Sequence, residues 1–117
     1  MQDYKKLIVW QKAHQNVLDV YKLTIGFPKE EVYGITSQVR RAIISVANNI
    51  VEGAGKFTDK DFANFLQTAL GSCQESEYLL MLSFELKFID KKNYDTIISK
   101  NGEVKAMLIS LIKKLRK

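Results

Sequence analysis

Few side chains in this sequence can hold a metal, move a proton or attack a bond. His14 is the only histidine and Cys73 the only cysteine. Any nucleophile–histidine pair would have to use His14. A carboxylate-bridged metal pair in a helical bundle calls for Glu-x-x-His on paired helices, and position 11 is Gln11. His14 therefore reads as a packed or half-exposed aromatic, and no metal or other cofactor is expected. Cys73 falls in an apolar pattern beside Gln74 and Glu75. With no cation next to it to favour the thiolate, it reads as a small buried hydrophobe. A lone cysteine also rules out an intrachain disulfide.

Gly53-Ala54-Gly55-Lys56 superficially resembles a phosphate loop. A Walker A loop needs a preceding strand and a hydroxyl residue after the lysine. Here a helical pattern precedes it and Phe57 follows. Two readings remain. One is a helix–helix turn with a glycine in the left-handed cap position. The other is an anion or nucleic-acid phosphate held by Lys56 and the free N–H groups of the next helix.

The densest polar set lies in Thr36–Lys56, where Arg40, Arg41, Asn48, Asn49 and Glu52 accompany an apolar stripe of Val39, Ile43, Val46 and Ile50. If the chain turns back at Gly53–Thr58, residues near 41 fall opposite residues near 75. Arg41, Asn48, Asn49, Glu52, Glu75 and Glu77 then form a polar seam that sets register between two helices. Catalysis by Glu52, Glu75 and Arg41 would need an open pocket with shifted carboxylates. Nothing in the spacing makes one carboxylate an acid and another a base.

Four helices must position these groups. Leu7, Trp10, His14, Val17 and Tyr21 recur at the helical period from about Lys6 to Thr24, with Asp3 as N-cap for a start near Tyr4. Trp10 and Tyr21 read as core or interface anchors. Gly26 and Phe27-Pro28 end that helix, and Pro28–Glu31 looks like a single helical turn. The second helix runs from about Ile35 to Glu52. Thr58 caps a third that reaches about Leu86, with Asp59 and Asp61 in its first turn. Gly71 inside that helix costs about 1 kcal/mol against alanine, which predicts close approach of a neighbouring backbone there. Asp90 caps the fourth, an approximate heptad seam with one polar slot at Asn101 and a soft point at Gly102. The reading is all-α: one domain, residues 1–117, as an antiparallel up-down-up-down four-helix bundle.

Composition agrees with a soluble globular chain: 117 residues, 46% hydrophobic, 26% charged, one proline. No apolar run approaches the roughly 20 residues of a membrane span, and no secretory signal is apparent, so a cytoplasmic protein is expected. Net charge is +5, concentrated in the first half and in the segment after Asp90, with an acidic stretch between. Such a distribution suits a nucleic-acid footprint or complementary protein faces. Lys113, Lys114, Arg116 and Lys117 suit phosphate contacts, and equally the dipole at a helix C-terminus.

Five runs match one family pattern in order: Val9–His14, Phe27–Gly34, Thr36–Ala42, Asn49–Gly55 and Gly71–Tyr78. Together they make the chain resemble the bacterial four-helix-bundle family encoded within 23S rRNA intervening sequences, from about Tyr4 to Phe88. Ala47 stands where that family often has proline, which disfavours a kink. Lys56 stands in place of arginine and gives up bidentate phosphate geometry. The resemblance implies a homopentamer without known enzymatic activity. A protein similar in fold, the accessory variability determinant of diversity-generating retroelements, binds nucleic acid and a reverse transcriptase; that likeness is analogy at fold level.

The expected function is thus a non-enzymatic, homo-oligomeric protein that contacts RNA or DNA. Candidate phosphate-binding residues are Arg40, Arg41, Lys56, Lys113, Lys114, Arg116 and Lys117, and the fold-level analogy implies a reverse transcriptase as protein partner. The alternative is an oligomeric interaction scaffold without nucleic acid; an inter-helix enzyme ranks last.

Overall fold

The computed structural model describes all residues, 1–117. It contains four long helices: α1 (Ile8–Thr24), α2 (Ile35–Ala54), α3 (Asp59–Glu85) and α4 (Lys91–Leu115). Local chemistry sets their ends. The Asp3 carboxylate accepts from Lys5 N at 3.1 Å, but starts only one 3₁₀ turn, Tyr4–Lys6. Leu7 is extended, so α1 begins four residues later than the start expected near Tyr4. The proline turn is likewise short, a 3₁₀ turn at Lys29–Glu31. Glu31 reaches forward to accept from Ile35 N at 3.3 Å, satisfying one of the orphan donors at the start of α2. Thr58 Oγ1 accepts from Asp61 N at 3.1 Å, and Asp90 Oδ1 from Asn93 N at 2.8 Å. Both are side-chain N-caps, and an alanine at such a position typically costs about 1 kcal/mol.

The α3 exit is the one left-handed cap. Lys87 has φ 68°. Phe88 N donates to Ser83 O and Lys87 N to Phe84 O, each at 2.9 Å, the paired bonds of a Schellman motif. Phe88 then packs on Phe27 with ring centroids 5.5 Å apart. No glycine has positive φ. Gly55, expected in the left-handed cap position, is right-handed (φ −81°, ψ −1°), and its N–H shares the Val51 and Glu52 carbonyls.

Each helix packs on two neighbours, in the cyclic order α1–α2–α3–α4–α1. Side-chain pairings track their directions. Arg41 meets Glu75 and Ser45 meets Ser72 between α2 and α3. Cys73 meets Asn101 and Gln67 meets Arg116 between α3 and α4. In each case residue number rises along one helix as it falls along the other. The bundle measures 43 × 23 × 20 Å.

The core has two parts. One gathers Val9, Ala13, Val46, Ile50, Phe62, Leu66, Ala69, Cys73, Val104, Leu108 and Ile112. The other gathers Val20, Phe27, Val39, Ile43, Leu79, Leu80, Ile89 and Ile97. Between them lie buried Asn16, Ser76 and Asn101. Asn101 Nδ2 donates to Cys73 O at 3.1 Å, while Cys73 Sγ donates to Asn101 Oδ1 at 3.3 Å. The polar slot on α4 is thus satisfied by α3, while Ser76 bonds back to its own helix at Ser72 O.

The glycine expectation is corrected. Gly71 faces solvent, and a Cβ there would meet nothing within 4 Å. The close approach is at Gly53, where a Cβ would lie 2.9 Å from both Phe62 Cδ1 and Phe65 Cβ. The turn into α3 folds its first two aromatics directly onto the end of α2, so the close approach forms beside the turn.

Candidate functional site

The polar residues of α2 do not share one environment. Arg41 Nη2 sits 2.7 Å from Glu75 Oε2, and the hydroxyls of Ser45 and Ser72 lie 2.8 Å apart. These two pairs cross from α2 to α3. Asn49 bonds back to Ser45 O at 2.8 Å. Asn48 and Glu52 face solvent, joined by a long 3.4 Å bond. Glu77 does not face α2; its carboxylate lies 3.6 Å from Lys105 on α4. The residues named for the seam are therefore not one continuous network.

Arg40 has no carboxylate partner. Its Nε donates to Thr24 Oγ1 at 2.8 Å, and its guanidinium lies 4.5 Å over the Tyr21 ring. It ties α2 to the last turn of α1. Arg41 and Glu52 lie about 16 Å apart along the α2 axis at 1.5 Å per residue. With Arg41 and Glu75 satisfying each other, Glu52, Glu75 and Arg41 do not converge on one substrate-sized pocket.

The thiol is buried, and the histidine is exposed but stacked. His14 stacks on Trp10 with centroids 4.9 Å apart and planes 9° apart, and the Tyr4 ring edge meets Trp10 at 5.0 Å. No three His, Cys, Asp or Glu side chains cluster as a metal site. Burial pushes the Cys73 thiol up to about 11, with Lys105 lowering it and Glu77 raising it to lesser degrees.

The basic candidates fall into two groups. Arg40 and Arg41 lie along α2, away from the others and engaged as described. Lys56, Lys113, Lys114, Arg116 and Lys117 share the opposite end of the bundle, where Gln2 N also donates to Ala54 O at 2.7 Å. Lys5, Lys6 and Lys60 join them there, three lysines that no motif in the sequence singles out. Lys6 and Lys114 line one shallow groove between α1 and α4, together with Leu7, Ile8, Met107 and Leu111. Arg116 reaches α3 at Gln67 (3.2 Å) and Asn64 (3.4 Å), one helical turn beyond Lys60. Lys56 Nζ sits 5.0 Å over the Phe65 ring.

This end, residues 1–7, 52–61 and 110–117, holds eight Lys/Arg against Asp3, Glu52, Asp59 and Asp61. The remainder holds ten against nine. Nearly all the net charge is thus at one end. None of these eight cations forms an ion pair with a carboxylate within 4.0 Å; the ion pairs involve Lys12, Arg41, Lys91, Lys100 and Lys105. The start of α3 is poorly suited to an anion, because Thr58, Asp59 and Asp61 already occupy it with a cap and two negative charges. Counting helix lengths would have found Lys5, Lys6 and Lys60: alternating directions bring both termini and the α2–α3 turn of such a bundle to one end.

Residues 5–110 match the family described as 23S rRNA-intervening sequence protein. The chain belongs to this family. As a member of the 23S rRNA-intervening sequence family it is also similar to a crystallised protein of unknown function from the S23 ribosomal protein family of Bacteroides thetaiotaomicron. That similarity has a TM-score of 0.82 at 28% identity, over 91% of this chain and 99% of the other. No curated protein matches the chain. The family match includes Lys5, Lys6, Lys56 and Lys60 but stops short of Lys113–Lys117. No helix is long and apolar enough to cross a membrane.

Proposed function

We propose that this member of the 23S rRNA-intervening sequence family is a non-enzymatic, homo-oligomeric protein whose basic end contacts the phosphates of RNA or DNA. The observation that carries the reading is the charge segregation. Eight Lys/Arg from three separate stretches meet at one end with no carboxylate paired to them. Cations neutralised by their own protein release no counterions from a phosphate backbone; unpaired ones do. Assembly of several copies, five on the family resemblance, would multiply a modest patch into a multivalent one. Exposed Ile44, Tyr78 and Met81 on α2 and α3 suit packing between copies.

The test is light scattering after size exclusion with absorbance at 260 and 280 nm, followed by binding titrations of a fluorescent oligonucleotide across salt. The expected result is an oligomer whose log K falls linearly with log salt, and K113E/K114E flattens that slope by about one unit for each phosphate no longer neutralised. A protein that binds no nucleic acid at low salt removes the reading.

A second reading is a protein-interaction scaffold. It is favoured by Tyr33, Ile25 and Val32, 95%, 77% and 51% exposed in the connection at the other end of the bundle. It predicts no gel shift at any salt and a stable complex with a protein partner.

A further inference from the structure

Phe57 is 87% exposed. It lies in the α2–α3 turn, within the basic end, between Lys56 and Lys60. Its exposure does not come from a shortage of apolar surface nearby. Phe62 and Phe65, five and eight residues on, turn inward; Phe62 is buried and both close on Gly53. A Phe side chain gains roughly 1.5–3 kcal/mol when buried. The turn leaves this one in water.

The ring is nonetheless held on a fixed backbone. Gly55 N and Lys56 N are bonded to carbonyls of the last turn of α2, Lys56 N to Gly53 O at 3.1 Å. Thr58, the next residue, is pinned by its cap bond to Asp61 N. Phe57 thus projects from between two hydrogen-bonded residues at a site anchored by the close approach at Gly53. Asp59 and Asp61 keep phosphates off the α3 N-terminus itself. Lys60 on α3 and Arg116 after α4 belong to the same end, and neither has a carboxylate partner.

Resting on the phosphate-binding reading above, we propose that Phe57 is a stacking platform for an unpaired nucleobase, so that the basic end takes single-stranded nucleic acid in preference to duplex. The face of a base inside a duplex is covered by its neighbours. An unpaired base offers that face, and stacks on an exposed aromatic while nearby lysines and arginines hold its phosphates. A protein partner fits this position less well, because the centres of protein interfaces are depleted in lysine. Stacking recognises the base and not the sugar, so RNA and DNA single strands share this chemistry.

The experiment titrates the full chain and F57A with labelled 12-nucleotide oligo(U), with oligo(dT) of the same length, and with a 12-base-pair duplex at low salt. F57A should weaken both single strands about 5- to 150-fold, the range for loss of one stacked base, and change duplex binding less than two-fold. F57W should restore single-strand binding. K113E/K114E should weaken all three probes. An unchanged single-strand affinity in F57A, or an equal loss on duplex, overturns the platform while leaving the phosphate reading standing. So does an F57A that changes only the mass seen by light scattering, which would place Phe57 in a protein interface. Failure of the unmodified chain to bind any probe removes both readings together.

Discussion

At the scale of single residues, two glycines within helices do opposite things. Gly71 carries the entropic cost of glycine in a helix with no packing return, since its face is open. Gly71→Ala should stabilise the protein by about 0.5–1 kcal/mol, raising Tm by a few degrees. Gly53→Ala forces a methyl to within 2.9 Å of Phe62 and Phe65. It should cost about 1–3 kcal/mol by overpacking, seen as a lower midpoint in urea with unchanged slope. Equal effects of the two substitutions would contradict this assignment. Cys73 yields a separate expectation. With the thiol pushed up to about 11, only about one molecule in a thousand is thiolate at pH 8. A disulfide reagent should leave the native protein unlabelled at pH 8 and react promptly in denaturant.

At the scale of helix pairs, polar groups placed between apolar layers select how the helices meet. Asn101 and Cys73 exchange hydrogen bonds across α3 and α4 at the boundary between the two core clusters. Asn101→Ala would remove the side-chain bonds to Cys73 and open a cavity, while Cys73 O keeps its helical donor, at a cost of about 1–3 kcal/mol in chemical denaturation. Asp19 joins α1 to α4 through Lys100 Nζ at 2.9 Å. Partial burial alone would raise its carboxyl pKa. Hydrogen bonds from Lys100 and Gln15, with the charges of Lys100 and Lys22, outweigh burial and hold it below the ordinary value of 3.8. A depressed carboxylate stabilises the fold above its unfolded pKa and loses that contribution as pH falls through the folded one. Asp19→Asn should therefore melt lower than the parent at neutral pH, by less than about 1 kcal/mol for such a partly exposed pair. That gap should close as the pH is taken below the usual carboxylate range; a gap that persisted in acid would assign the effect to packing.

At the scale of the molecule, the decisive property is where the charge ends up. Alternating helix direction returns three stretches distant in sequence to one end, and the balance there is eight cations to four acids. Arg40 and Arg41, prominent in the sequence, are held by Thr24, Tyr21 and Glu75 instead. Charge reversal at Lys113 and Lys114 should accordingly reduce nucleic-acid affinity and its salt slope. Arg41→Gln should leave the slope within error and lower stability slightly, as an exposed pair does. A larger loss of binding from Arg41→Gln than from the lysine pair would move the proposed interface onto α2.

The sequence by itself determined four helices, their caps at Thr58 and Asp90, the apolar stripes and the family, because periodicity and capping are local chemistry written within a few turns of chain. It also placed Arg41 opposite Glu75, since a hairpin with a known turning point has only one register. Three-dimensional packing alone decided the rest. Gly71 and Gly53 differ by which face of a helix each occupies. Glu77 turned to α4 and Asn101 to Cys73 because a helix in a bundle touches two neighbours, and rotation about its axis settles which residues meet them. Phe57 stayed in water while Phe62 and Phe65 closed on Gly53, because Phe57 lies in the turn before α3 and the other two lie on its inward face. The basic end exists only once the bundle closes, since its cations come from the N-terminus, the α2–α3 turn and the C-terminus, which alternating helix directions bring together.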